Sequence, residues 1–221
     1  MSWNELIHQS MPRLMAGLQM TLQLTAYSLL IALLLGLVFG LMSVSKNRIL
    51  RFLSSVYVDV IRGTPLLVQA FFIYFGLPNA LGIRLSADTA GIATLALNAG
   101  AYLAEIVRGG IQSVSSGQME AARSLGMPYA NAMIKIILPQ AVRTMTPSLI
   151  NQFIITLKDT SILSIIGLRE LTQTGKIIIA NNFESFKMWT LVALMYLVVI
   201  TVLSRLSKYL ERRMNNAQGK R

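Results

Sequence analysis

Residues 20–44, MTLQLTAYSLLIALLLGLVFGLMSV, carry no charge at any position. Crossing a hydrocarbon core about 30 Å thick takes about 20 consecutive apolar residues in a helix, because only internal hydrogen bonds can satisfy the backbone there. The run meets that length and fits no soluble alternative. It is too long for the apolar core of a secretory signal, has no basic region before it and no small-residue cleavage pattern after it. We read it as a retained transmembrane span.

The rest of the chain agrees. Of its 221 residues, 54% are hydrophobic and only 13% charged. Soluble domains average about 25% charged residues. Further apolar runs fall at about 65–83, 89–107, 148–167 and 188–204, which predicts an all-α membrane protein of five transmembrane helices with its termini on opposite sides. Pro78 and Gly82 interrupt the second run, and Arg62-Gly63-Thr64-Pro65 separates it from an amphipathic segment before it. Ahead of the first span, Trp3, Leu6, Ile7, Met11, Leu14 and Leu18 recur at helical spacing, which suggests an interfacial helix on the outer surface, the favoured reading being a leader that anchors the first span. The expected organisation is an amphipathic leader at 1–19, a membrane domain at 20–212 and a basic tail at 213–221.

The net charge of +11 is not gathered on one soluble face, which argues against a nucleic-acid partner. Lys and Arg sit at the ends of the apolar runs. One side collects Lys46, Arg48, Arg51, Arg62, Arg108, Arg123, Lys135 and Arg143, then Arg205, Lys208, Arg212, Arg213, Lys220 and Arg221. The other holds Arg13, Arg84, Arg169, Lys176 and Lys187, partly offset by Glu5, Asp88, Glu170 and Glu184. The positive-inside rule then puts the N-terminus outside and the C-terminus in the cytoplasm.

Several chemistries are excluded. The chain has no cysteine and a single histidine, His8, so disulfides, thiolate metal sites and His-based hydrolysis have no residues to use. Gly175-Lys176 looks like part of a phosphate loop, but Glu170 stands where the upstream Gly is needed and Ile177 replaces Ser/Thr. No cofactor is expected on this chain, and it is not expected to be an enzyme.

On the predicted topology, residues 117–142, GQMEAARSLGMPYANAMIKIILPQAV, form a cytoplasmic loop. Glu120 to Leu125 are mostly good helix formers, with Gly126 placed to cap the C-terminus. Pro128 suits the first turn of a second helix, in which Ala130, Met133, Ile134, Ile137, Leu138 and Ala141 make an apolar stripe and Pro139 is expected to bend or end it. Periodicity alone leaves this an amphipathic interfacial hairpin.

Glu120-Ala121-Ala122, Gly126 three residues after Arg123, and Ile137-Leu138-Pro139 resemble the EAA loop of type I ABC importer permeases. Arg62-Gly63-Thr64-Pro65-Leu66-Leu67-Val68-Gln69, and Tyr102 to Ile111 running into Gly117-Gln118, resemble the branch of that family that takes up polar amino acids. The likeness extends over about 16–212. It implies the type I importer fold and a bacterial cytoplasmic (inner) membrane location. It also implies partners: ABC ATPase subunits carrying ATP and Mg, a second permease chain in a homo- or heterodimer, and an extracytoplasmic amino-acid-binding protein. In that picture the loop is a lever that docks on the ATPase. Glu120 makes polar contacts at the docking surface, Ala121 and Ala122 allow close approach, Arg123 belongs to the same surface, and Gly126 forms the turn.

Ionisable groups inside spans usually face a cavity or a partner. Lys158 and Asp159 fall near the middle of the run at 148–167, and neighbours on a helix point about 100° apart, so neither satisfies the other. Ser148, Gln152, Thr156 and Asp159 share one stripe, and Asn98, Tyr102, Glu105 and Gly109 share another. We take the two to line a translocation cavity, with Asp159 placed to attract an ammonium or guanidinium group of a cationic or amide amino acid. A structural ion pair is the competing reading for Asp159, as is a surface pair with Arg108 for Glu105. Gly36 and Gly40 mark a face for close helix approach. A self-contained secondary transporter or channel would instead be expected to carry an inverted internal repeat, which the sequence does not display. A non-transporting membrane scaffold is the third alternative.

Overall fold

The computed structural model describes residues 2–216, with side chains as far as Tyr209. The basic residues read at 212–213 and 220–221 therefore lie outside the described side chains. The elements are α1 (Trp3–Ser43), α2 (Arg48–Arg62), α3 (Leu66–Leu81), α4 (Ala87–Gln112), α5 (Ser116–Ser124), α6 (Tyr129–Ile166), α7 (Leu171–Asn182) and α8 (Ser185–Asn216). Among the described residues, α1, α4, α6 and α8 are each long and apolar enough to cross a membrane, and α2 with α3 counts as a fifth span if the pair, bent by 100°, is taken as one.

The leader and the first span are one continuous helix of 41 residues. At about 1.5 Å per residue this helix is about 60 Å long, about twice the hydrocarbon thickness. The leader is thus an extension of the first span and not a separate helix. Leu6 and Leu14 are completely buried in a cluster with Leu171 of α7 and Met188 and Leu191 of α8, which holds the first turns of α1 in line. A capping box between Ser2 and Glu5 starts the helix.

α4 is the central element. Its small residues let neighbours approach closely: a Cβ built on Gly36 would stand 2.5 Å from Leu103 Cβ. Gly36 and Gly40 thus seat α1 on α4, as their spacing implied. Leu24, Leu95, Leu163 and Leu168 fill the core between α1, α4 and the end of α6. Val107, Ile111, Ile137, Ala141 and Met145 fill the loop-side end.

The fourth span departs most from the sequence reading. Pro139 neither ends nor isolates the second loop helix, and α6 runs from Tyr129 through to Ile166. A π-helical turn at Met133–Ile137 precedes the proline and includes Lys135, the residue four before it. The wider turn accommodates a carbonyl that the ring would otherwise strike. A second π turn, Phe72–Gly76, stands in the same relation to Pro78. Lys158 and Asp159 close the α-helical stretch Leu138–Asp159, which continues without a break into the 3-10 turns Thr160–Ile166.

Candidate functional site

The site begins at the corner between α2 and α3. Pro65 cannot donate a backbone hydrogen bond and confines the residue before it to extended geometry, so the chain breaks at Gly63-Thr64. The break is tied down. Gly63 N–H donates to Asp59 C=O (2.8 Å), and Thr64 Oγ1 donates to Val60 C=O (2.9 Å). Buried Gln69 donates through Nε2 to Ile61 C=O (2.7 Å) and Thr64 C=O (3.0 Å), and accepts at Oε1 from Asn98 Nδ2 (3.1 Å). One amide therefore locks the corner to α4.

The corner walls a cavity of about 600 Å³. Small-molecule sites usually measure about 300–1,000 Å³, so the volume suits one. Residues 62–66 form one wall, Asn98 and Tyr102 of α4 a second, and Gln152, Ile155 and Asp159 of α6 a third. Spacings of three and four put each helix's contributors on one face. Asp159 is partly buried and makes no hydrogen bond or ion pair among the described residues. The ion pair weighed for it is not formed within the described chain. Arg62 lines the same cavity, so its wall carries both a cation and an anion.

The two predicted stripes converge in part. Asn98, Tyr102, Gln152 and Asp159 meet at the cavity. Thr156 is buried and donates to Gln152 C=O of its own helix (2.9 Å), away from the lining. Ser148 and Gly109 are also outside it. Glu105 faces a second cavity, of about 380 Å³, bordered by Ser43, Arg51, Ser55, Asp59 and Arg108. Arg108 grips it through Nε–Oε1 (2.8 Å) and Nη2–Oε2 (2.9 Å), the surface pair weighed from sequence. Arg62 joins that pair at 3.3 Å, with its guanidinium 5.2 Å from the Tyr102 ring centre. Lys158 opens elsewhere, on a groove with Ser161, Tyr196 and Leu197.

Sequence reasoning named neither Arg62 nor Gln69 for this site. A helix broken by Gly and Pro inside an apolar run was the available signal, since irregular backbone at membrane depth is tolerated where it lines a cavity.

In the loop, α5 ends in a Schellman motif. Met127 N–H donates to Ala122 C=O (3.1 Å) and Gly126 N–H to Arg123 C=O (3.0 Å), with Gly126 at φ +80°. Glycine adopts that conformation freely, having no Cβ to clash. Ala122 is buried, while Glu120, Ala121 and Arg123 are exposed, and Arg123 Nη1 donates to Met127 C=O (3.0 Å). Leu125, 89% exposed, stands bare at the tip. Lys46 Nζ lies 5.2 Å from the Tyr129 ring centre, linking the α1–α2 connection to the first turn of α6.

Comparison with known proteins bears on this arrangement. The family described as binding-protein-dependent transport system inner membrane component matches residues 32–216. The glutamine transport system permease protein GlnP of Escherichia coli (strain K12) is 47% identical over 160 residues, covering 72% of this chain and 73% of the relative. The probable glutamine ABC transporter permease protein GlnM of Bacillus subtilis (strain 168) is 42% identical over 177 residues, 80% of this chain and 82% of the relative. Among solved structures, a crystal structure of an amino acid ABC transporter with histidines superposes with TM-score 0.91 at 42% identity, covering 96% of this chain and 99% of that one. The MetNI methionine ABC transporter in an inward-facing conformation, at 18% identity and TM-score 0.73, shares the fold, with 96% of this chain and 99% of that one covered.

Proposed function

This chain belongs to the family of binding-protein-dependent transport system inner membrane components, and on that premise we propose that it is the permease subunit of an ATP-driven importer for polar amino acids, cationic or amide-bearing. The observation that carries the substrate reading is Asp159. A carboxylate left without a partner beside Asn98, Gln152 and Tyr102, in a cavity of small-molecule size, is an acceptor waiting for a ligand's ammonium or guanidinium group. The relatives named for glutamine transport and the amino acid transporter of known structure support the same substrate class.

Transport energy comes from partner ATPase subunits that bind ATP and Mg. The loop at 117–142 docks on them, with Glu120, Ala121, Arg123 and Leu125 presented outward, Ala122 packed beneath and Gly126 making the turn. Because α6 is continuous from Tyr129 past Asp159, a push on the loop moves the cavity wall as a rigid body. The N-terminus is outside, the C-terminus cytoplasmic, and a second permease chain and an outer binding protein complete the assembly.

Purification of the tagged chain from its native membrane tests this reading. An ATPase should come down with it, in a complex whose hydrolysis a polar amino acid stimulates. Recovery of the intact chain in mild detergent with no ATPase would overturn it.

A further inference from the structure

Arg62 lines both cavities, the one holding Asp159 and the one holding Glu105. It sits between two claims on its guanidinium. On one side Glu105 Oε2 lies 3.3 Å from Nη1, a looser contact than the 2.8 and 2.9 Å bonds by which Arg108 holds both oxygens of the same carboxylate. On the other side the cavity is open, with no carboxylate but that of Asp159 on its wall. The Tyr102 ring under the guanidinium attracts it through the π face and keeps it at the junction whichever side it serves.

We propose that Arg62 is a specificity-determining residue that binds the substrate's α-carboxylate, and that this carboxylate competes with Glu105 for it. The inference rests on the Asp159 cavity being the substrate site. Three features make the exchange favourable. A guanidinium offers a planar pair of donors that matches a carboxylate in two parallel bonds, better than the single contact it keeps with Glu105. Glu105 is not stranded when Arg62 leaves, because Arg108 still engages both its oxygens. The opposite charges on the cavity wall, Arg62 and Asp159, suit a ligand carrying both signs, and a zwitterionic amino acid does. Binding then favours the state in which Arg62 has left Glu105, by the difference in affinity between the two states.

The test uses the complete permease–ATPase complex in nanodiscs, with binding and half-saturation of ATP hydrolysis measured for glutamine, arginine and the α-carboxamides of both. In the parent complex the acids should bind at least about tenfold more tightly than their amides, as expected for one charge-assisted contact. Arg62→Ala should weaken the acids by about that factor, leave the amides unchanged and so erase the discrimination. Arg62→Lys, which keeps the charge without the fork, should fall between and guards against a folding defect. Glu105→Gln should tighten the acids severalfold, because it removes the competitor, and leave the amides alone. Equal losses for acid and amide in Arg62→Ala, or weaker acid binding in Glu105→Gln, would overturn the inference. If Asp159→Asn weakens binding while Arg62→Ala does not, this inference alone falls. If neither does, the cavity is not the substrate site.

Discussion

Two carboxylates eleven residues apart in sequence, Glu170 and Asp159, are treated in opposite ways. Glu170 has no exposed surface and no idle oxygen. Its Oε1 accepts from Gln173 N–H (2.6 Å), and its Oε2 accepts from Thr172 N–H (2.9 Å) and Tyr196 O–H (2.9 Å). It caps the positive end of α7 and ties that helix to α8. Asp159 is in the opposite situation: it is partly buried where the α-helical part of α6 passes without a break into Thr160–Ile166, and no hydrogen bond or ion pair among the described residues engages its carboxylate. A satisfied carboxylate holds the fold together, and an unsatisfied one held in place by its surroundings is available to a ligand.

The sharpest way to break that distinction is to remove the satisfied group. Glu170→Ala deletes a helix cap, worth about 1 kcal/mol, and one of the two hydrogen bonds of the half-buried Tyr196 hydroxyl, worth about 1–2 kcal/mol more with Thr172 Oγ1 still 3.2 Å away, so a loss of about 2–3 kcal/mol is expected. Thermal unfolding of the purified complex reads it, and whatever folds should keep its half-saturation for substrate. The sign of the pH dependence follows from the same environment. Burial raises the Glu170 carboxyl above its ordinary value of 4.5, against the lowering by the Thr172 and Gln173 amides. A raised native pKa means stability that is full below the unfolded value and lost as pH rises through the native one. The melting temperature should therefore decline as pH climbs above about 4.5, a trend that Glu170→Gln flattens.

Asp159→Asn is the converse. It should leave the melting temperature where it was and weaken substrate by about tenfold or more, the size of a charge-assisted contact of about 1.5–3 kcal/mol. Binding unchanged in a normally folded, ATPase-coupled complex would remove Asp159 from the cavity's function. A melting point lowered as far as in Glu170→Ala would mean that both carboxylates are structural.

What could be read from the sequence divides along the same line. The apolar run at 20–44 and the glycines facing α4 were legible because periodicity and residue size are local properties. Asn98, Tyr102, Gln152 and Asp159 were legible as stripes because helical spacing puts them on faces. Arg62 was not, since its place depends on a bend of 100° between two helices and on a hydrogen bond from Asn98 to Gln69 across 29 residues. The continuity of α6 was hidden for another reason: a proline reads as a stop unless a π turn relieves it, and nothing in the residue pattern announces the π turn. Glu170 was counted as one outer-loop charge among several, because its partner Tyr196 lies 26 residues away.

A smaller effect is expected at the loop. Gly126→Ala places a Cβ in the left-handed region at φ +80°, with nothing within 4 Å to clash. For a residue that carries a Cβ, this conformation costs about 1–2 kcal/mol. That is too little to unfold the chain but enough to loosen the Schellman turn beneath Leu125. Uptake per ATP hydrolysed should drop severalfold while substrate affinity holds. An affinity loss instead would mean that the loop and the cavity are not separable as the comparison requires.

The smallest effect is predicted for Thr156→Val, and it is the closest control on Asp159. Thr156 shares the stripe of Gln152 and Asp159, so a reading from helical spacing alone makes it as much a site residue as they are. Its hydroxyl is used inside its own helix, on the Gln152 carbonyl at 2.9 Å, and the residue is 1% exposed. Valine keeps the branched shape, and the carbonyl it releases keeps its place in the helix, so stability should change by no more than about 0.5 kcal/mol and substrate binding not at all. A tenfold loss of binding would show that the cavity reaches behind the wall described for it, and that Asp159 owes its importance to the stripe rather than to its missing partner.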